Sequence, residues 1–241
     1  MNPNKKILVI GASTGIGEKL TNALLSNGNK VWAVARRIEG SQTSRVDISN
    51  FSDVMKLAID LKVANFTPDV VVINAGIYQN DIADNVNVQI CESMLKTNFM
   101  GAIHCVHALK SLVPASAQFI AISSSSALKG SSFEGAGYAA SKAALTVAFE
   151  SFHMKWSKTG PLFTTIFFGP LDTSLRRTKG GSVFLTSAES AVQLIIKAMV
   201  QRKPIYHQPK SLFFLLRLLK VLPPSLYLRL LTFIERRLNK A

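Results

Sequence analysis

Tyr138 and Lys142 lie four residues apart where a run with helical spacing begins, which puts both side chains on one face. A free tyrosine ionises near pH ~10, too high for efficient proton exchange at neutrality, and an ammonium one turn away favours the phenolate. The chemistry on offer is general acid–base catalysis. The spacing alone also suits an ordinary amphipathic helix edge, so its weight depends on what accompanies it. Upstream, four serines at 123–126 follow an apolar run, and a serine there can polarise a carbonyl. Earlier still come Asn74-Ala75-Gly76 and the turn Gly11-Ala12-Ser13-Thr14-Gly15-Ile16-Gly17.

That turn stands between a branched apolar strand at 7–10 and a helix over 18–25. Gly11 permits a sharp turn, Gly15 lets the backbone approach a pyrophosphate, and Gly17 lets the helix pack on the strand. Ser13, Thr14 and Ile16 complete the loop, where free N–H groups and the helix dipole attract an anion. A second strand, 31–35, ends in Arg36-Arg37. In a dinucleotide-binding fold an acid at this tip binds the ribose 2′-hydroxyl, and an arginine nearby accommodates a 2′-phosphate. Ala35 is not acidic and Arg36 follows at once, so NADP(H) is favoured over NAD(H). Two solvated surface arginines are the bland alternative. Asp47-Ile48, after a brief strand at 45–46, falls where an adenine edge can be met.

The elements that must position these groups alternate. A helix is expected over 51–63, a strand at 69–73, a long helix over 86–109, a strand at 118–122, a helix from 138 to about 158 and a sixth strand at 162–168. Strands alternating with helices imply right-handed crossovers and an α/β, Rossmann-like, doubly wound parallel sheet flanked by helices. One domain over 1–204 and a basic, leucine-rich helical extension over 205–241 are expected.

With glycine turn, Asn-Ala-Gly, serine and Tyr138-Ala139-Ala140-Ser141-Lys142 in this order, the chain resembles the short-chain dehydrogenase/reductase family in its compact single-domain branch, over roughly 5–204. The family's T-G-x-x-x-G-x-G is met with Ile10 in place of threonine, and Asn98-Phe99-Met100-Gly101 resembles its helix asparagine motif. The resemblance implies hydride transfer between NADPH and a ketone or alcohol, with Tyr138 as acid/base. Lys142 would tune the phenol and hold the nicotinamide ribose, and Asn98 would anchor a water. Strand geometry selects Ser124 as the carbonyl-binding serine, whereas counting thirteen residues back from the tyrosine selects Ser125. The family's Pro-Gly after the sixth strand stands here as Gly169-Pro170, and Thr173 would meet the nicotinamide carboxamide. A homodimer or tetramer is also implied. The alternative is a non-catalytic NADP-binding sensor or scaffold at a membrane surface, for which an intact tetrad would be needless.

Twenty-eight basic residues against 14 acidic give +14, which favours anionic partners. No zinc-finger spacing or RNA-binding aromatic motif appears, so nucleic acid is not expected. Cys91 and Cys105 make no disulfide framework, no metal-ligand cluster is visible, and a short polar start leaves no room for a signal peptide. A cytoplasmic protein is the expectation. Basic excess concentrates in 205–241, where Arg217 and Lys220 interrupt apolar residues at 211–222, Pro223-Pro224 stops that helix and Ser225 can cap another over 226–238. Neither segment reaches the ~20 apolar residues of a membrane span. Two readings remain for 211–238: helices lying on an acidic inner-membrane surface, or packing on the domain or across a subunit contact to close a pocket. Both favour a hydrophobic or lipid-like substrate. The lid is expected between Asp172 and Ser187, with Arg176, Arg177 and Lys179 in it.

Overall fold

Residue alternation explains the centre of the molecule. Along β1 (Lys6–Ile10), Ile7 and Val9 turn to one side and Leu8 and Ile10 to the other, and all four are buried. A strand apolar on both faces needs cover on both. In the computed structural model, which describes residues 3–82, 85–130, 135–172 and 184–240, the cover is helical.

The strands are β1, β2 (Lys30–Ala35), β3 (Thr43–Arg45), β4 (Val70–Ile73), β5 (Gln118–Ser124), β6 (Leu162–Phe168) and β7 (Ile205–Gln208). They form one parallel sheet ordered β3-β2-β1-β4-β5-β6-β7. Helices α1 (Gly15–Ser26) and α6 (Ala188–Gln201) bury Leu20, Leu24, Val192 and Ile195 against Ile7, Val9 and Val72. On the other face lie α2 (Phe51–Val63), α3 (Val88–Leu95), α4 (Gly101–Leu109) and α5 (Ala136–Trp156), whose Leu57, Leu109, Leu145 and Phe149 cover Leu8, Val71 and Phe119. Each such side chain, fully buried, is worth about 1.5–3 kcal/mol. Strand order reverses between β1 and β4, and in sheets of this kind the crevice beyond the strand ends at that point binds ligands.

Several expectations are corrected. The helix foreseen over 86–109 begins at Val88, where the Asn87 side chain accepts from the Ile90 N–H at 3.0 Å, and contains a wide π turn at Lys96–Met100. The helical extension does not begin at 205, because 205–208 is an edge strand paired with β6, as Thr165↔Ile205 and Phe168↔Gln208 register shows. After it come α7 (Lys210–Lys220) and α8 (Pro224–Lys240). Ser225 is not the cap of α8 but lies in its first turn: the Pro223 carbonyl accepts from the Leu226 and Tyr227 N–H groups, and Pro224, with no N–H to lose, fits the first helical position. The brief third strand ends at Arg45 rather than Val46. Helix α6 was not anticipated at all.

Candidate active site

A cavity of ≈ 630 Å³ opens at the carboxyl ends of β1, β4 and β5. Its wall draws on most of the foreseen motifs. The turn after β1 contributes Gly11, Ser13, Thr14, Gly15 and Ile16; the tip of β2 contributes Arg36 and Arg37; Asp47 and Ile48 follow β3; and Asn74, Ala75 and Gly76 follow β4. Ser124 ends β5, Tyr138 and Lys142 come from the first turns of α5, and Gly169 follows β6.

The glycine turn is held by close approach. Gly11 N–H donates to the Val34 carbonyl at 2.7 Å, Ala75 N–H donates to that of Ile10 at 2.9 Å, and the Asn74 amide donates to the Gly11 carbonyl at 2.9 Å. A Cβ on Gly17 would lie 1.9 Å from the Gly11 carbonyl oxygen, so this position rejects any side chain although it does not line the cavity. Thr14, at the N-cap of α1, makes no side-chain cap, which leaves the first-turn N–H groups of the helix to the cavity.

At the other end, the Lys142 ammonium donates to the Ile122 carbonyl at 2.9 Å and lies 5.9 Å from the centre of the Tyr138 ring. Burial lowers its pKa from 10.5 to about 8. Ser124 is hydrogen-bonded to Ser126, accepting from its N–H at 3.1 Å and sharing a proton with its hydroxyl at 2.9 Å. The two serine candidates part here: Ser124 lines the cavity, and Ser125 is buried in the 3₁₀ turn Ser125–Leu128 outside its wall.

Asn98 reaches the floor of the site but not the cavity wall. It is buried in the π turn, accepts from the Ile77 N–H at 2.7 Å, and spends both amide hydrogens on the Ile77 carbonyl and the Ser141 hydroxyl, at 2.9 and 3.0 Å. A water here can only donate to its oxygen. Its observed work is to tie the segment after β4 to α5.

Around Asp47, burial opposes the charge, but hydrogen bonds from the Ser49 hydroxyl and N–H (2.7 and 2.9 Å), with Arg36 and Lys96 nearby, outweigh it and hold the carboxyl below its ordinary value. Arg36 and Arg37 are exposed at the cavity edge, and Ala35 beside them is buried. Thr173, Arg176, Arg177 and Lys179 lie outside the described residues. Among the described residues no cluster of histidine, cysteine and acid could hold a metal ion.

Among the site residues that escaped the sequence reading are Ile77, Tyr78 and Asp81. Tyr78 lines the cavity and sets its ring edge-on to Tyr138, with centroids 5.2 Å apart. Asp81, buried, accepts from the Gly137 N–H at 2.7 Å and so places a carboxylate on the N-terminus of the helix that carries Tyr138 and Lys142. The N-cap there is Gly135, at φ 77°, where a Cβ would come within 1.8 Å of Asp81. A helix starting after glycine, with no capping side chain of its own, was the available signal that a cap comes from elsewhere.

The pattern of the short chain dehydrogenase family matches residues 5–182. An uncharacterized oxidoreductase of Myxococcus xanthus is 28% identical over 239 residues, covering 91% of this chain and 93% of its own. Among solved structures, a short chain dehydrogenase from Burkholderia cenocepacia in complex with NADP superposes with a TM-score of 0.81 at 22% identity, over 95% of this chain and 98% of that one. A short chain dehydrogenase/reductase from Burkholderia phymatum in complex with NAD has a TM-score of 0.76 at 18% identity, over 89% and 92%.

Proposed function

The chain belongs to the short-chain dehydrogenase family and is an oxidoreductase; from that premise we propose that it uses NADP(H) to interconvert a ketone and an alcohol on a hydrophobic substrate, with Tyr138 as general acid/base. One observation carries the reading: Ser124, Tyr138 and Lys142 share a cavity with the glycine turn.

The residues present fit a dinucleotide. Ser13, Thr14, Gly15 and Ile16 at the uncapped start of α1 would hold its pyrophosphate, Asp47 and Ile48 its adenine, and Arg36, with Arg37, its 2′-phosphate. Asn74, Ala75, Gly76 and Gly169 supply backbone walls. The nicotinamide, when bound, supplies or accepts the hydride. The chain's own residues manage the oxygen. In the reducing direction, the Ser124 hydroxyl donates to the carbonyl oxygen as negative charge grows there, and the Tyr138 phenol hands it a proton. Lys142, charged and close to the ring, favours the phenolate left behind. Ile77, Tyr78 and Leu171 line the same cavity and favour an apolar substituent on the substrate.

Arg36 tests the cofactor. Removing one charge-assisted contact costs about 1.5–3 kcal/mol, roughly one to two decades of affinity. Titration of Arg36→Ala should therefore show that loss for NADPH and almost none for NADH. Equal losses for the two would make Arg36 structural and remove the support for NADP(H).

The substrate class is tested by following NADPH oxidation with long-chain acyl ketones and steroids beside sugars. The apolar ketones should turn over with higher kcat/KM, by about tenfold or more, since one to two buried methylenes already supply that factor. A preference for sugars would overturn the hydrophobic assignment while leaving the cofactor assignment standing.

A further inference from the structure

Helix α7 has two apolar sides and only one is covered. Phe213, Leu216 and Leu219 are buried toward the body, where the Phe213 ring meets those of His207 and Phe167 at 4.7 and 5.9 Å. The opposite side presents Phe214, Leu215, Leu218 and Val221, with Phe214 67% and Val221 84% exposed. Helix α8, packed on α7, adds exposed Leu226 and Phe233. Scattered apolar side chains are ordinary on a protein surface, but a contiguous ridge marks an interaction site.

Charge decides what fits there. Positions 205–234 hold four basic residues, Lys210, Arg217, Lys220 and Arg229, and no aspartate or glutamate. At helical spacing Lys210 and Arg217 run along one flank of the Phe214–Leu218–Val221 ridge, and both are exposed. We propose that this outward face of α7 and α8 docks side-on to an acidic lipid bilayer, the ridge entering the acyl boundary and the basic flank meeting the headgroups. A two-fold contact with a second copy would set the same basic groups against each other, with no aspartate or glutamate among positions 205–234 to pair them. Crossing the bilayer is not open to these helices, since among the described residues no helix is long and apolar enough to span one.

The placement also matters to the cavity. Leu212, on the inner side of α7, packs so closely on Gly169 that a Cβ there would fall 2.8 Å from it, and Gly169 is a wall residue. The docking face is thus one helix away from the cavity rim, which suits a substrate that arrives dissolved in lipid. Docking itself does not rest on the oxidoreductase chemistry.

The full-length protein is sedimented with vesicles of equimolar phosphatidylglycerol and phosphatidylcholine and with vesicles of phosphatidylcholine alone. Partition into the acidic vesicles is expected to be at least about tenfold stronger. Phe214→Glu/Leu218→Glu should reduce it about tenfold or more, and so should Lys210→Glu/Arg217→Glu, which keeps the ridge and reverses the flank. All four side chains are exposed, and unchanged thermal melting of each variant certifies the fold. Equal sedimentation of wild type and both variants overturns the proposal. So does a fall to a smaller oligomer in light scattering when Phe214→Glu/Leu218→Glu is examined without vesicles, since the face would then belong to a second copy. No turnover is read, so a failure of docking and a failure of the oxidoreductase assignment are separate results.

Discussion

Replacing Tyr138 by phenylalanine is expected to lower carbonyl reduction by about two to four orders of magnitude, the usual worth of a positioned general acid. The substitution keeps the ring and its edge-on contact with Tyr78, and removes only the hydroxyl. NADPH affinity should therefore stay within about twofold, because the glycine turn and the arginines at the tip of β2 are untouched. Single-turnover reduction alongside fluorescence titration of NADPH separates the two quantities. Near-wild-type turnover would end the assignment of Tyr138, and a parallel loss of cofactor affinity would show that the phenol positions the dinucleotide rather than moving a proton.

Replacing Lys142 by methionine is expected to remove activity and add stability. Its folded pKa is about 8 against an ordinary 10.5. Below pH 8 the lysine is charged in both states, and the folded protein bears the whole cost of burying that charge, about 3 kcal/mol for a displacement of this size. As pH rises through 8 the folded protein sheds the proton while the unfolded chain keeps it until 10.5, so wild-type stability rises across that window. Methionine has no proton to lose. Allowing about 1 kcal/mol for the lost hydrogen bond to the Ile122 carbonyl, Lys142→Met should be more stable than wild type by about 2 kcal/mol at pH 7, and the gap should close toward pH 10. Urea unfolding of both proteins at the two pH values measures it. A variant that is less stable by the same margin at both would show that packing, not charge burial, governs this position. Activity is expected to follow the opposite course, since the ammonium proposed to tune Tyr138 is lost above pH 8, and NADPH binding should weaken because the same ammonium would hold the nicotinamide ribose. On the proposed mechanism, the protein keeps a costly charge where the chemistry would need one.

Features governed by local periodicity were legible in the sequence. Helix α2 and strand β6 occupy the residues expected, because a continuous apolar stripe and an apolar run each ended at a clear breaker. Ser124, Tyr138 and Lys142 were legible as a group because each sits at the end of an element whose phase was readable. Helix α6 was missed although Ala188, Ala191, Val192, Ile195, Ala198 and Met199 carry its buried stripe at helical spacing. Strand β7 is only four residues long, with two of them half-buried, and its pairing with β6 is a tertiary fact. The partners of Asn98 were illegible for the same reason: Ile77 and Ser141 meet it through the fold, not through spacing.

The link between Asp81 and Gly137 crosses 56 positions. Local hydrogen bonds hold most of α5, but its first turn, which holds Tyr138, takes an acceptor from the segment after β4. Closing a loop of that length carries an entropy cost that helix growth does not. The bearing of Tyr138 in that turn thus depends on a contact between two stretches 56 positions apart, so a change at Asp81 can misdirect Tyr138 while most of α5 stays intact. The orientation of Tyr138 is in this sense a property of the whole chain, set at the place where two distant stretches of sequence meet.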